Sequence, residues 1–221
     1  MKSLSKGQIT RNSIVEKSRF IFNEKGLDIT LDVIAQEMGL TKGRITNHFP
    51  TKESLFQAIT TYYEWQLGEY MRAIRLPEHG INIQFLAQLI SGVMDIQYEN
   101  RCVIGYLSLV TEEKKEMFAY ISENYKRNVQ GIRNRVTAMV QQGLLVPEIL
   151  HQKTFPVFLF QYVTILTNWV ISEQHYNREA GYEKMKAVYL RGVMQCYLPY
   201  FTEEGRRQYE ALSFTRLAKS N

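Results

Sequence analysis

Apolar residues recur at three- and four-residue spacing along nearly the whole chain, which is the spacing of amphipathic helices. The first series consists of Ile14, Ser18, Ile21 and Phe22, and Gly26 ends it. Alternating patterns typical of strands are scarce, and no internal repeat or low-complexity segment occurs. The sequence therefore predicts an all-α protein.

Two short helices joined by a glycine-containing turn are predicted next. Thr30 caps the first of them and Gly39 ends it. Thr41 caps the second, in which Ile45 and Phe49 point inward. The apolar stripe of the first short helix consists of Leu31, Ile34, Ala35 and Met38. A helix, a short turn with glycine and a second helix form the helix-turn-helix unit, whose second helix enters the major groove of DNA.

The second short helix has an outward face of small, polar and cationic residues. At about 100° per residue, Gly43 and Asn47 point away from Ile45, and Arg44 and Thr46 flank them. Arginine pairs with guanine and asparagine with adenine, and threonine contacts either base edge or a thymine methyl group. This face could read DNA, or it could be an ordinary solvated helix face.

The remaining chain also reads as helical. Pro50 interrupts the pattern, and a long fourth helix follows from Lys52 to about Ile74, where Pro77 and Gly80 end it. Further helical patterns cover 81–99, 101–110, 112–142, 152–175, 182–198 and 203–217. We predict three parts: a helix-turn-helix domain, a connecting helix and a larger helical domain. Their ranges are 1–51, 52–75 and 76–221.

The helix at 152–175 is apolar over most of its circumference, which favours packing on two sides. A second copy of the chain is the economical partner for the outer side, together with the helix at 182–198. The predicted dimer contacts are Phe158, Leu166, Trp169, Val188, Val193, Met194 and Tyr197. Residues 155–171 also approach the length of a membrane span, but polar side chains interrupt them, so a buried helix is favoured.

Composition and charge narrow the function classes. Of 221 residues, 45% are apolar and 22% are charged, which is typical of a folded soluble protein. The net charge is +5, and residues 1–60 carry +3 of it, from nine basic and six acidic residues. This bias fits a nucleic-acid contact in the first quarter of the chain, although a solvated helical face gives similar numbers.

Cysteine usage and the N-terminus indicate a cytoplasmic protein. Cys102 and Cys196 are far apart and lack a CxxC motif, so we expect two reduced core residues. The first residues lack the apolar segment of a secretion signal, so nothing in them suggests export.

No catalytic or metal-binding motif is present. The four histidines are scattered, and neither HExxH nor GxSxG nor a phosphate-binding glycine loop occurs. They are His48, His79, His151 and His175. We therefore predict no catalytic residue, no metal site and no cofactor, and turnover of a substrate by the purified protein would contradict this interpretation.

The stretch from Ile14 to Leu55 resembles the DNA-binding domain of the TetR family of bacterial transcriptional regulators. The resemblance is carried by the segments "FNEKG" and "ITLDVIAQEMGLTKGRITNHFPTKESL". Matching positions are Phe22, Gly26, Thr30, Ile34, Ala35, Gly39, Thr41, Gly43, His48, Phe49, Lys52, Glu53 and Leu55. A "GLLVPE" turn at 143–148 is of the kind such regulators often carry before their dimerisation helices.

The sequence departs from the family pattern at two places. Thr46 stands where the family usually has a tyrosine that touches the DNA backbone, which puts that contact in doubt. The segment between Gly26 and Ala35 is one residue short. A fold relative that dimerises but has lost specific DNA binding stays open as an alternative, and the Thr46 departure is its only support in the sequence.

The resemblance implies a homodimeric regulator, with a repressor expected, that binds a pseudo-palindromic operator through a recognition helix at 42–49. The two recognition helices would lie about one DNA turn apart, about 34 to 36 Å. Arg44 and Asn47 are the predicted base readers, and Lys52 is a predicted phosphate contact. The predicted DNA-binding set is Thr30, Thr41, Lys42, Gly43, Arg44, Thr46, Asn47, His48 and Lys52.

A ligand-responsive regulator also needs a ligand site. The residues that could line it are aromatic side chains and a polar stripe on the helix at 152–175. They are Tyr62, Trp65, Tyr98, Tyr106, Phe118, Gln161, Thr164 and Asn168. They predict a small, largely apolar or aromatic ligand, which would release DNA through the fourth helix. The alternatives are core packing for the aromatic residues and a solvent-facing or dimer-edge stripe for the polar ones.

Overall fold

A computed structural model describes residues 5–78, 80–111 and 115–219, with the side chains of 116–118 left out. Eleven α-helices occur within these ranges, and none of the described residues belongs to a strand, which confirms the predicted fold class. The helices are α1 (Lys6–Lys25), α2 (Leu31–Glu37), α3 (Lys42–Thr46), α4 (Lys52–Ala73), α5 (Ile83–Glu99), α6 (Arg101–Ser108), α7 (Lys115–Gln141), α8 (Phe155–Tyr176), α9 (Tyr182–Gln195), α10 (Glu203–Glu210) and α11 (Phe214–Ala218).

One predicted helix is divided in two. The pattern at 203–217 forms α10 and α11, because the chain leaves the helical conformation near Ser213, which has φ −99° and ψ 92°. The break lets Phe214 bury its ring against Tyr209, with ring centres 5.7 Å apart. Periodicity did not indicate this break, since apolar residues keep helical spacing across it.

The chain forms two compact units. The N-terminal unit comprises Met1–Glu69 and Ile96–Met117, and the C-terminal unit comprises Tyr70–Asp95 and Phe118–Asn221. Helices α4, α5 and α7 therefore contribute to both units. The division differs from the sequence-based domains in that the end of α5 and the whole of α6 belong with the first helices of the chain.

Apolar packing of α1 to α4 and α6 forms the core of the N-terminal unit. Phe56 of α4 lies between two aromatic rings, 4.3 Å from the ring centre of Phe22 and 4.2 Å from that of Tyr106. The fully buried residues around it include Ile14, Ile34, Ile45, Phe49, Leu55, Ile59 and Val103. Fully burying one such side chain contributes about 1.5 to 3 kcal/mol, so this core fixes the short helices α2 and α3 against α1 and α4.

Hydrogen bonds from α1 hold the start of α6. The Asn23 side-chain amide donates to the Glu99 carbonyl (2.7 Å) and accepts from the Cys102 amide (2.9 Å), so it caps α6 from another helix. Arg19, which is 3% exposed, also donates to the Glu99 carbonyl (2.9 Å). Arg101 pairs with Glu24 at 2.6 Å. These bonds explain why α6 joins the N-terminal unit.

The two cysteines are buried and free, as predicted. Burial raises the pKa of the Cys102 thiol to about 12, and the nearby guanidinium groups of Arg19 and Arg101 lower it by less. The thiol is therefore protonated at neutral pH, which makes it a poor nucleophile and a poor metal ligand.

Packing of α8 on α9 forms much of the C-terminal core. The ring of Trp169 lies 5.3 Å from that of Tyr189 on α9, and the ring of Phe158 lies 4.9 Å from that of Tyr197, just after α9. A buried ion pair adds to this packing, because Lys186 of α9 lies 2.7 Å from Asp95 of α5. The faces of α8 and α9 that meet are thus occupied within one chain.

Candidate nucleic-acid interface

Helices α2 and α3 form the predicted helix-turn-helix. Gly39 ends α2 with φ +65°, a conformation that favours glycine, and the Leu40 amide donates to the Ala35 carbonyl at 2.8 Å. The Thr30 hydroxyl accepts from the Val33 amide (3.4 Å), and the Thr41 hydroxyl accepts from the Arg44 amide (3.3 Å). Both predicted N-caps are therefore confirmed.

The helical turn of α3 continues past its last α-helical residue. The Asn47 amide donates to the Gly43 carbonyl (3.0 Å), and the Phe49 amide donates to the Ile45 carbonyl (2.8 Å). Ile45 and Phe49 are 0% and 1% exposed. Because both side chains are anchored in the core, the rotation of this helix about its axis is fixed, and the predicted outward residues face away from the core.

The outward face carries side chains that are available to a partner. Gly43, Arg44 and Asn47 are exposed, and Thr46 is half-buried. Among the described residues, no hydrogen bond or ion pair engages the Arg44 guanidinium or the side-chain amide of Asn47. The Thr46 hydroxyl donates to the Gly43 carbonyl at 3.3 Å. A Cβ atom added at Gly43 would have nothing within 4 Å, so this position is open to a close approach.

The two predicted lysines are both engaged within the protein. The ammonium group of Lys42 lies 2.7 Å from the Asp32 carboxylate. That of Lys52 donates to the Leu27 carbonyl and lies 5.9 Å from the centre of the Phe22 ring. Lys52 thus holds the loop between α1 and α2, and its phosphate contact would require a different side-chain rotamer.

We expect Lys52→Ala to lower the free energy of unfolding by about 1 kcal/mol, because it removes a charged hydrogen bond to a loop carbonyl. Urea unfolding monitored by circular dichroism measures this. Lys17→Ala removes an exposed lysine of α1 and serves as the control. Equal unfolding midpoints for the two variants would show that the Lys52 contact contributes nothing to stability.

Arg11 is a candidate that the sequence did not single out. Its side chain is exposed, and its guanidinium carbon lies 4.8 Å from the centre of the Phe49 ring, just past the end of α3. Position 11 precedes the buried Ile14 by one helical turn, so helix periodicity already placed it near the core-facing edge of α1. Its approach to Phe49 depends on tertiary packing.

Comparison with known proteins connects this geometry to a family. The model of the family described as "Bacterial regulatory proteins, tetR family" matches residues 14–59, which run from the middle of α1 into α4. The HTH-type transcriptional regulator AcrR of Shigella flexneri is 21% identical over 88% of this chain and 94% of its own length. UidR of Escherichia coli K12, also an HTH-type transcriptional regulator, is 23% identical over 86% of this chain and 95% of its own.

The fold agrees over nearly the whole chain. A TetR-family transcriptional regulator from Marinobacter aquaeolei VT8 superposes with a TM-score of 0.79 and 21% identity, covering 94% of this chain and 98% of that one. The chain belongs to the TetR family. TetR-family regulators are ligand-responsive, DNA-binding transcriptional regulators, and they are generally not enzymes.

The predicted ligand residues of this TetR-family chain are divided between its two units. Tyr62, Trp65, Tyr98 and Tyr106 belong to the N-terminal unit, whereas Gln161, Thr164 and Asn168 lie on α8 in the C-terminal unit. Phe118 is also a predicted ligand residue, and its side chain is not among those that the structure describes.

The predicted ligand residues differ in their surroundings. Tyr106 stacks on Phe56 with an angle of 4° between the rings, which is core packing. Tyr98 lies 4.8 Å from the Arg101 guanidinium, and Trp65 is 54% exposed. Gln161 and Asn168 are exposed on α8. The assignment of a ligand site to this set stays a prediction.

The predicted dimer contacts are wrong for five residues, which are buried within their own chain. Phe158, Trp169, Val193, Met194 and Tyr197 are at most 4% exposed. The spacing indicated an apolar face of α8, but this face packs on α9 of the same chain. Leu166 is half-buried and Val188 is 58% exposed, so these two stay available to a partner.

The outward side of α8 carries apolar residues that are not among the predicted dimer contacts. Val157 is 54% exposed, Phe160 is 70% exposed and Ile165 is 39% exposed. Helix α8 is long and apolar enough to cross a membrane, and 33% of its apolar window is buried inside the chain. Core helices of soluble proteins also meet these criteria, and TetR-family regulators are soluble cytoplasmic proteins.

The described residues contain no cluster of three or more His, Cys, Asp or Glu side chains that could hold a metal ion. His48 is half-buried beside Phe49, and His151 and His175 are exposed. His79 lies outside the described residues.

Proposed function

We propose that this protein is a ligand-responsive transcriptional repressor that binds a pseudo-palindromic operator as a homodimer. The observation that carries the proposal is the outward face of α3, where Arg44 and Asn47 extend from a helix held in place by buried Ile45 and Phe49. Of the outward residues, these two can each form a pair of hydrogen bonds with one base. Gly43, which shares this face and has open space at its Cβ position, allows the helix to lie close to the base edges.

The neighbouring hydroxyl groups can still contact phosphates. The Thr30 and Thr41 hydroxyls accept hydrogen bonds from backbone amides at the starts of α2 and α3. Each hydroxyl keeps its own proton, which it can donate to a phosphate oxygen. Such contacts orient a protein on the duplex without reading its sequence. His48 and Lys42 would extend this set on either side of the base readers.

We assign the dimer contact to the outward sides of α8 and α9. Val157, Phe160 and Ile165 on α8 and Val188 on α9 are apolar side chains that a monomer would expose to water, and a partner would cover them. Gly192 on α9 has open space around its Cβ position, which allows a second helix to approach closely. Twofold pairing of this surface matches the twofold symmetry of a palindromic operator.

Ligand response is proposed to run through α4. The first residue of this helix, Lys52, bonds to the Leu27 carbonyl in the N-terminal unit, and Tyr70 near its end donates to the Gln88 carbonyl (3.1 Å) in the C-terminal unit. A ligand shifts the equilibrium only if it binds one arrangement of the helix more tightly. A small, largely apolar or aromatic compound that raises the melting temperature should therefore weaken operator binding. A compound that raises the melting temperature and leaves operator affinity unchanged would contradict the coupling.

Selection from a random double-stranded DNA library with the full-length protein tests the proposed function. The expected product is an inverted repeat with half-sites about 10 base pairs apart, centre to centre. Placed over a promoter, that repeat should reduce reporter expression when the protein is present. Failure to enrich any sequence would favour a dimeric relative that has lost specific DNA binding.

We expect Gly43→Ala to separate folding from DNA binding. The open space at this position and its ordinary helical backbone should raise stability by about 0.5 to 1 kcal/mol, whereas the added methyl group should weaken operator binding by about tenfold, the size of one lost base contact.

Thermal unfolding and fluorescence anisotropy measure the two effects of Gly43→Ala. Gly131→Ala is the matched control, because Gly131 lies within α7 and an added Cβ would meet only the Arg135 side chain at 3.7 Å. Operator affinity equal to that of the control would place Gly43 away from the DNA.

A further inference from the structure

Lys42 reaches the proposed DNA surface already paired with a carboxylate. It is the first residue of α3, and its ammonium group lies 2.7 Å from the carboxylate of Asp32 in the first turn of α2. The Lys42 side chain is 59% exposed and that of Asp32 is 57% exposed. Both side chains are therefore largely open to solvent. They lie at the start of the helix that the proposed function places against the DNA phosphates.

We propose that Asp32 competes with DNA phosphate for Lys42 and thereby lowers the affinity of this protein for all DNA. The proposal rests on the proposed function, because it takes α3 as the DNA-contacting helix. A carboxylate and a phosphate offer the same kind of anionic oxygen acceptor to an ammonium group. When a phosphate approaches Lys42, it must displace Asp32 or share the ammonium with it, and it is repelled by the carboxylate in either case.

The competition should make DNA binding less dependent on salt concentration. A lysine that neutralises a phosphate releases condensed cations, and each such contact steepens the plot of log K against log salt by about 0.9. Since the charge of Lys42 is already balanced by Asp32, its contact with phosphate releases fewer cations than a free lysine would. Removal of the carboxylate should restore the full contribution of Lys42.

Asp32→Asn tests this inference, because asparagine keeps the size of the side chain and removes its charge. We expect binding to tighten by about two- to fivefold per protomer on both the selected operator and a random duplex of equal length, the range measured for exposed ion pairs. The salt slope should steepen by about one per protomer. Fluorescence anisotropy at several salt concentrations gives both quantities.

Glu37→Gln is the matched control. Glu37 lies at the other end of α2 and pairs with Lys25 of α1 at 2.9 Å, with side chains 40% and 45% exposed. The substitution changes the net charge by the same amount without freeing Lys42, so its effect on affinity and salt slope should be clearly smaller. Equal effects of the two substitutions would reduce the result to net charge and overturn the proposal.

A double-mutant cycle isolates the pair. Lys42→Ala should weaken DNA binding only slightly when Asp32 is present and more strongly in the Asp32→Asn background. Weaker binding by Asp32→Asn itself would show that Asp32 positions Lys42 for DNA, which overturns the proposal. If Asp32→Asn tightens binding while the wild type does not distinguish the selected duplex from random DNA, the inference stands and the proposed function fails.

Discussion

Arg44→Ala and Asn47→Ala should each bring the affinity for the selected operator down towards that for random DNA. Each side chain extends from the outward face of α3 and can form two hydrogen bonds with one base edge. One such pair contributes about 1 to 3 kcal/mol of discrimination, and a dimer loses it at both half-sites, so the expected loss is about 2 to 6 kcal/mol. Affinity for random DNA should hardly change with Asn47→Ala and should fall modestly with Arg44→Ala, which also loses a charge.

Gln36→Ala is the control for Asn47→Ala. It removes an exposed side-chain amide from α2 instead of α3 and should leave the discrimination between the two DNAs intact. Anisotropy titrations of the three variants, with melting curves to show that each is folded, make the comparison. Unchanged discrimination in folded Arg44→Ala and Asn47→Ala would mean that another element reads the sequence.

Phe160→Glu should convert the dimer to a 25.9 kDa monomer and abolish operator binding. The Phe160 ring is 70% exposed, so a carboxylate at this position costs the folded monomer little free energy. In the proposed interface the carboxylate would lose its water without gaining an opposite charge, which destabilises the dimer. Because a dimer engages both half-sites at once, its loss should weaken operator binding by at least about a hundredfold. Sedimentation velocity at micromolar concentration measures the oligomeric state.

Tyr125→Glu is the control for the dimer. Tyr125 is a 50% exposed aromatic residue on α7, outside the proposed interface, so this variant should sediment like the wild type. A wild-type protein that sediments as a monomer would refute the homodimer. A Phe160→Glu variant that stays dimeric would place the interface elsewhere.

The helix-turn-helix could be predicted because its signals are local. Thr30 and Thr41 cap helices within three residues of themselves, and the four-residue spacing of Ile45 and Phe49 sets which side of α3 faces inward. The outward position of Arg44 and Asn47 then follows from helix geometry alone. Nothing about distant parts of the chain was needed.

The proposed dimer surface could not be predicted in the same way. Helix α8 is apolar on two sides, and periodicity shows that both sides avoid water without showing what covers each one. Phe158 packs on Tyr197 just after α9 and Trp169 packs on Tyr189 of α9, whereas Phe160 and Ile165 face outward. Only tertiary packing distinguishes the two sets.

Polar contacts between distant residues left still less of a signal. The Asn23 side chain caps α6 by accepting from the Cys102 amide, 79 positions away in the sequence. Lys42 pairs with Asp32, which is ten positions away on another helix. Neither pair has a characteristic spacing, since hydrogen bonds between elements depend on how the elements pack. The place of α6 in the N-terminal unit and the engagement of Lys42 therefore required the structure.

The most direct test of the central claim compares the affinity of the wild-type protein for its selected operator with that for a permuted duplex of equal composition. Anisotropy titrations at about 0.15 M salt, where non-specific contacts are screened, give both dissociation constants. The ratio is expected to reach about 1,000 or more, as is typical of sequence-specific binding. Equal dissociation constants for the two duplexes would contradict the assignment of α3 as a reader of DNA sequence.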